Sequence, residues 1–322
     1  MPKAVWVRQT GGPEVLEPGE IELQEPAEGQ VLVDVAAAGV NYIDTYHRGG
    51  LYPLSLPFVA GLEGAGRVAA VGPGVSDFAP GDRVAWWDTL GSYTERHLVP
   101  AHGAVPVPDR VDDETAAALP LQGFTAHYLL NSTYPVRAGD TVLVHAAAGG
   151  VGLLLVQLAK AKGARVIATV STEDKATLAR GAGADEVVGY EGFDENARRF
   201  TDGEGVAAVY DGVGRTTFDQ SLASLRPRGV LALFGAASGP VPPVDPQRLN
   251  AAGSVFLTRP ALAHHTRTTE EVRWRADEVF GAVTSGALSV RVGHRYELAD
   301  ARRAHEDLES RKTTGKLLLI PG

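Results

Sequence analysis

The rhythm of apolar and polar positions changes near residue 122. Before that point the apolar residues come in short β-like runs: Val31-Leu32-Val33-Asp34-Val35, Gly66-Arg67-Val68-Ala69-Ala70-Val71 and Arg83-Val84-Ala85-Trp86-Trp87. Gly72-Pro73-Gly74 and Pro80-Gly81-Asp82 stand between them as turn signals. Short runs punctuated in this way predict a partly open, barrel-like β domain.

From Gln122 onward, strands and helices alternate. The expected strands are Thr141–His145, Arg165–Val170, Glu186–Gly189, Ala207–Asp211, Val230–Phe234 and Ser254–Thr258. The expected helices between them are Gly150–Lys162, Glu173–Arg180, Asp194–Phe200 and Thr216–Leu225. Alternation of this kind implies βαβ units on a parallel sheet, and six strands fill a doubly wound dinucleotide fold. After Arg259 the alternation stops. A helix over about 269–284, a strand at Ser289–Val292, a helix at Asp300–Ser310 and a strand at Lys316–Ile320 are expected to return to the first domain. The expected division is therefore 1–123 with 259–322 as one domain and 124–258 as the other. Linkers near 123 and 259 would form a hinge, with a ligand cleft between the domains.

Composition narrows the chemistry. The 322 residues are 44% hydrophobic and 21% charged, ordinary for a globular protein. A net charge of −9 argues against general nucleic-acid binding, which needs a positive footprint. There is no cysteine, which removes disulfides, thiolate zinc sites, iron–sulfur clusters and a cysteine nucleophile. Redox chemistry must then come from a bound cofactor. The N-terminal residues lack the long apolar run of a signal peptide, and Val142–Val156 is too short to span a bilayer. A cytoplasmic protein is expected.

The strongest local signal is Val142-Leu143-Val144-His145-Ala146-Ala147-Ala148-Gly149-Gly150-Val151-Gly152, an apolar strand that runs through a glycine turn into a helix. Gly149 lets the backbone approach a pyrophosphate, Gly152 lets helix and strand pack closely, and the helix N-terminus offers N–H groups to the phosphates. The second strand ends Ala168-Thr169-Val170-Ser171-Thr172, without the carboxylate that usually holds the ribose 2′-hydroxyl of NAD. Lys175, one turn later, is placed to meet a 2′-phosphate. Spacing alone equally allows a solvated lysine, and the nearby Glu173 and Asp174 leave NAD open.

Four motifs together resemble a known family. They are Gly39-Val40-Asn41-Tyr42-Ile43-Asp44-Thr45-Tyr46, Gly50-Leu51-Tyr52-Pro53, Gly61-Leu62-Glu63-Gly64-Ala65-Gly66 and Ala146-Ala147-Ala148-Gly149-Gly150-Val151-Gly152. The set is similar to the zinc-free medium-chain dehydrogenases/reductases of the zeta-crystallin-like, NADPH:quinone oxidoreductase branch. The similarity runs to Glu309-Ser310-Arg311-Lys312-Thr313-Thr314-Gly315-Lys316. It implies an α/β protein: a GroES-like β-barrel catalytic domain plus a doubly wound six-strand Rossmann domain that binds NADPH. Asn41 and Leu62 stand where zinc-dependent relatives carry a cysteine and a histidine, and the four-cysteine zinc lobe is missing. No metal is expected, and without a Lewis acid alcohol oxidation gives way to reduction of a ready hydride acceptor.

By the same resemblance, Asn41, Tyr46 and Tyr52 line the nicotinamide and substrate pocket and donate to the developing oxyanion. Thr125 sits at the nicotinamide end. Gly149, Gly150, Val151 and Gly152 hold the pyrophosphate. Ser171, Lys175, Tyr190 and Arg311 surround the 2′-phosphate, with Ser171 standing where the family carries glycine. Gly212, Phe234, Ala236 and Arg259 line the rest of the cofactor groove. Spacing alone allows plainer roles: Asn41 as a turn cap, Tyr46 and Tyr52 as packed aromatics, Tyr190 at a strand end and Arg311 at a helix C-terminus. The resemblance favours the binding role for Lys175, Tyr190 and Asn41, and leaves Tyr52 open. Glu63 is expected to be a structural hydrogen-bonding residue, and the neighbouring His264 and His265 lack the one-turn spacing of chelators.

The resulting expectation is an NADPH-dependent quinone reductase. One alternative is a reductase of α,β-unsaturated ketones or aldehydes, with Tyr52 as proton donor. Another is a non-catalytic NADPH- or RNA-binding protein, the RNA role opposed by the acidic charge. Expected partners are a small-molecule quinone or enone and a second copy of the chain. The homodimer would cover the apolar edge Ser254-Val255-Phe256-Leu257-Thr258.

Overall fold

The computed structural model describes residues 1–322. They form two compact units, Met1–Gln122 with Thr268–Gly286 and Val290–Gly322, and Gly123–Arg267 with Ala287–Ser289. Residues 259–267, expected to return to the first domain, stay with the second unit. There His265 stacks flat on Tyr128, with ring centroids 4.3 Å apart. The short piece 287–289 is held by Gln157, whose side chain bonds both the N–H and the carbonyl of Ser289, at 2.8 and 3.0 Å.

The first unit opens with strands β1 (Lys3–Val7), β2 (Leu16–Glu20), β3 (Gln30–Val40), β4 (Phe58–Val59), β5 (Glu63–Val71), β6 (Arg83–Trp86), β7 (Arg96–Pro100) and β8 (Ala104–Pro106). Helix α1 (Tyr42–Arg48) follows β3, and α2 (Asp113–Ala118) follows β8. In β3, Val31, Val33 and Val35 are buried while Asp34 faces water, the period-two pattern of a strand packed on one face.

Helix α3 (Pro120–Tyr128) leads into the second unit. Its strands are β9 (Thr141–Val144), β10 (Arg165–Thr169), β11 (Glu186–Val188), β12 (Val206–Asp211), β13 (Leu225–Leu233) and β14 (Phe256–Thr258). Between them lie α4 (Gly150–Ala161), α5 (Glu173–Gly181), α6 (Phe193–Phe200), α7 (Phe218–Ala223) and α8 (Gln247–Ala251). All six strands are parallel, in the order β11-β10-β9-β12-β13-β14. This is the expected doubly wound sheet, with its switch point between β9 and β12. Every residue of those two central strands is buried, and between Thr141 at the start of β9 and Asp211 at the end of β12 they read as predominantly apolar runs. Leu143, Ile167, Val209 and Leu231 join Phe193 and Phe218 in this core.

The chain then returns to the first unit through α9 (Thr269–Thr284), β15 (Val292–Glu297), α10 (Ala301–Glu309) and β16 (Lys316–Ile320). The larger sheet there has the order β15-β16-β3-β5-β6-β8, with β7 also on β3, and a smaller one the order β2-β1-β4. Three expected elements lie elsewhere. The strand expected at Ser289–Val292 is β15, whose half-exposed edge carries His294 and Arg295 and so gives no apolar signal. The helix expected to reach Leu225 stops at Ala223, because Leu225 already belongs to β13. The last strand of the parallel sheet begins at Phe256, after Ser254 turns the chain with φ of 55°.

Candidate active site

Strand register brings three distant residues of the first unit together. β16 runs antiparallel to β3 with Leu317 opposite Val40, and β5 pairs with β3 with Glu63 opposite Gly39. Continuing those ladders by one residue sets Lys316 beside Asn41. Gly39 makes the space: a Cβ there would lie 2.4 Å from Glu63 Oε2 and 2.7 Å from Lys316 Cε. The Lys316 ammonium donates to Asn41 Oδ1 at 2.8 Å and to Glu63 Oε2 in a fully buried ion pair. The other Glu63 oxygen accepts the N–H of Leu121 at 2.7 Å, which sets the carboxylate at the positive end of α3. Glu63 is thus a structural hydrogen-bonding residue, as expected. Burial pulls Lys316 below the usual lysine range, and the Glu63 carboxylate opposes it.

Asn41 is 3% exposed and caps α1. Its Nδ2 donates to Glu63 Oε2 at 2.8 Å and to the Gly39 carbonyl at 3.3 Å, and its Oδ1 accepts from Lys316 and from Gln122 Nε2 at 3.2 Å. Both amide hydrogens are directed at acceptors inside the unit. Its neighbour Asp44 accepts the Asn41 N–H at 2.8 Å and the Tyr93 hydroxyl at 2.9 Å. Burial raises the Asp44 carboxyl to about 7 against these two bonds.

Tyr46, on α1, and Tyr52, in the turn that follows, meet edge to face with centroids 5.3 Å apart. Tyr52 is 36% exposed, so the two expected pocket tyrosines form one accessible aromatic pair. Arg311 also lies in the first unit. It has a left-handed φ of 59° just past α10 and hydrogen-bonds Tyr42. The plain reading of Arg311 as a helix-end residue describes its local setting.

The second unit gathers most of the expected cofactor residues at the C-terminal ends of its strands. β9 runs into Ala146, which has a φ of 49°, and α4 starts at Gly150 with Gly149 as a cap that makes no side-chain bond. A Cβ on Gly152 would stand 2.3 Å from the Ala146 carbonyl and 2.7 Å from Ala147 Cα, so only glycine lets helix and turn close together. The first turn of α4 carries no acid and leaves the N–H groups of Gly150, Val151 and Gly152 without intrahelical acceptors. Tyr190 Oη accepts the N–H of Ala146 at 3.1 Å and so is tied to this turn. At the end of β10, Lys175 Nζ reaches Ser171 Oγ at 3.4 Å, while Glu173 is drawn away into an ion pair with Arg180. At the ends of β12 and β13, Gly212 lies against the Phe234 ring, where a Cβ would be 3.0 Å away. Ala236 follows in the same loop. Thr125 is buried on α3, and Arg259 follows β14. An anionic diphosphate fits the turn, and an added phosphate fits the cation at Lys175.

Beneath the turn lies a polar cluster that the sequence did not announce. His145 bonds Thr169 Oγ1 and Ser221 Oγ, both at 2.8 Å. Asp211 accepts from the N–H groups of Val213 and Gly214 and from the hydroxyls of Thr217 and Ser221, at 2.7 to 3.0 Å. Burial depresses His145 to about 4, with Asp211 opposing, so it is neutral at pH 7. A charged residue at the end of the apolar run Val206–Asp211 was the available hint.

Comparison with known proteins places these units. The alcohol dehydrogenase GroES-like domain matches residues 27–109, and the zinc-binding dehydrogenase family matches residues 150–276. A quinone oxidoreductase of Pseudomonas aeruginosa is 46% identical over 100% of both chains. A mycobacterial protein solved in complex with NADPH is 57% identical, with a TM-score of 0.97 over 100% of both chains. The Escherichia coli quinone oxidoreductase, solved with NADPH, is 44% identical with a TM-score of 0.97, covering 99% of this chain and 100% of its own. The two units are those of a medium-chain dehydrogenase/reductase, a GroES-like catalytic domain and a Rossmann domain. Within that class the chain belongs to the zeta-crystallin-like quinone oxidoreductase family.

The zinc in one family description does not fit this chain. Zinc takes three or four thiolate, imidazole or carboxylate donors. No group of three such side chains is placed to hold a metal ion. The amide of Asn41 and the alkyl chain of Leu62 stand at the expected positions, and the Glu63 carboxylate is already paired with the Lys316 ammonium.

Proposed function

We propose that the protein is an NADPH-dependent quinone oxidoreductase that works without metal. The cofactor choice rests on Lys175 beside Ser171 at the tip of β10, where an NAD site carries an acid. The quinone follows from the full-length likeness to quinone oxidoreductases. NADPH, when bound, would supply a hydride from its nicotinamide C4, which with one proton from water would take a quinone to hydroquinone and leave NADP⁺.

The residues of the chain bind and orient. The N–H groups of Gly150, Val151 and Gly152 take the pyrophosphate, with Gly149 keeping the approach open. Ser171, Lys175 and Tyr190 take the 2′-phosphate, with Arg311 as a further cation. Thr125 serves the nicotinamide end, and Gly212, Phe234, Ala236 and Arg259 line the groove. The hydroxyls of Tyr46 and Tyr52 donate to the oxygen on which charge develops. Asn41 acts from behind, through the residues it holds.

A cytoplasmic homodimer is part of this reading. β14 is an edge strand whose Phe256 is 61% exposed, and pairing with its twin would cover it. No helix is long and apolar enough to cross a membrane. A sedimentation mass of two chains is expected, and a mass of one chain removes this part of the proposal. The function itself is tested by offering NADPH and NADH separately, each with a para-quinone and with an unsaturated ketone. Fast NADPH oxidation with the quinone is expected. Turnover of the ketone alone would move the chain to the double-bond reductases and make Tyr52 the proton donor to examine.

A further inference from the structure

With Asn41 closed, the geometry points to Gln122 as the side chain of this network that meets the acceptor's carbonyl oxygen, with Lys316 as the positioning residue behind it. This inference rests on the quinone reductase reading above.

An ammonium can only donate, so the Asn41 atom facing Lys316 must be Oδ1. The same atom faces Gln122 at 3.2 Å, so Gln122 must offer its NH₂ there. The orientation of both amides follows from one lysine, with no freedom left for a flip. Glu63 reinforces it from the other side, because a carboxylate accepts only the Asn41 NH₂.

The network ends at Gln122. Asn41 uses both hydrogens, and Glu63 accepts on both oxygens. Gln122 spends one hydrogen on Asn41, and its second N–H and its carbonyl oxygen take no partner in the protein. Its side chain is half-buried, so those atoms are open to a ligand. The amide donating to Asn41 Oδ1 cannot turn its oxygen inward without facing another acceptor, so an N–H always remains outward. On α3, Gln122 lies three residues before Thr125, on the same helical face as the residue assigned to the nicotinamide end. A fixed N–H in that position suits the oxygen of a quinone better in its reduced, anionic form than in its neutral one, which is the condition for lowering a barrier.

The test is steady-state reduction of a para-benzoquinone by the full-length protein with NADPH. Gln122→Leu should lower kcat/KM for the quinone on the order of 10- to 100-fold. NADPH affinity, read by fluorescence titration, and the melting temperature should stay unchanged. In Gln122→Leu on a Lys316→Met, Glu63→Gln background, the loss should shrink severalfold, because the amide is no longer oriented. If that background does not fold, Gln122→Leu alone decides. A Gln122→Leu enzyme within twofold of wild type overturns the inference and leaves the quinone reductase reading intact. A wild-type protein that does not reduce the quinone overturns that reading instead.

Discussion

Glu63 in the first unit and Asp211 in the second are both carboxylates shut away from water, and each faces a base: Lys316 across the intervening strand β3, and His145 at the end of the adjacent strand β9. Asp211 is answered by four neutral donors, two backbone and two hydroxyl, and its base His145 stays uncharged. Ser221 gives its one hydrogen to Asp211, so His145 Nε2–H must donate to Ser221 and Nδ1 must accept from Thr169. Every member is used, and the cluster ties the ends of β9, β10 and β12 beneath the glycine turn. Glu63 is answered by a charge, and its network passes through Asn41 to the half-exposed amide of Gln122. A closed network of neutral donors holds strand ends in place. An open one, driven by a buried ion pair, fixes the orientation of a group that faces a ligand.

This contrast breaks most sharply at the ion pair. Lys316→Met leaves the Glu63 carboxylate buried without its cation and should cost about 3–5 kcal/mol of stability. Adding Glu63→Gln should regain most of that loss in urea unfolding. If the double variant is no more stable than the single one, the ion pair is not what the first network depends on.

The closed cluster should show a smaller effect of a different kind. Asp211→Asn puts an NH₂ where two donors point and should cost about 2–3 kcal/mol. The KM for quinone should not change at a temperature where the variant is folded. A raised quinone KM with unchanged stability would reverse the roles given to the two clusters.

The cofactor end allows a finer test. Lys175→Ala should weaken NADPH about tenfold or more, the worth of a charge-assisted bond to phosphate, and leave NADH unaffected. Equal losses for both cofactors would remove Lys175 from the 2′-phosphate.

The smallest expected effect is on stability against pH. His145 and His97, each depressed by burial to about 4, and His305, to about 3, take protons in the unfolded chain near 6.5 but not in the folded one. Burial lowers His47 as well, so acidification from 6.5 toward 4 favours unfolding at these histidines. Asp44, raised to about 7 from 3.8, and Asp88, also raised by burial, bind their protons earlier in the folded state and oppose this. The urea midpoint should be lower at pH 5 than at pH 7. A midpoint that holds or rises would mean that these histidines are not neutral in the fold.

What the sequence disclosed was what short segments decide for themselves. The glycine turn, the six-strand alternation and Lys175 one turn past a strand end are local patterns, and the fold places them at the strand tips as expected. The first unit's network was invisible because it depends on register between strands far apart in the chain. Nothing about Lys316 at the head of an apolar strand says that it faces Asn41, 275 residues earlier. In the sequence Gln122 marks only the point where the rhythm changes. β15 was displaced because an edge strand with charged residues lacks the apolar signal that marks its neighbours.

Hydride transfer from NADPH to a quinone is tested most directly in a single turnover. The protein preloaded with one equivalent of NADPH is mixed rapidly with a para-benzoquinone, and nicotinamide absorbance is followed at about 340 nm. One equivalent should disappear in one phase that slows when the transferred hydrogen at C4 is deuterium. Absorbance that persists, or decays at a rate indifferent to the quinone and to deuterium, would contradict hydride transfer from NADPH to a quinone in this protein.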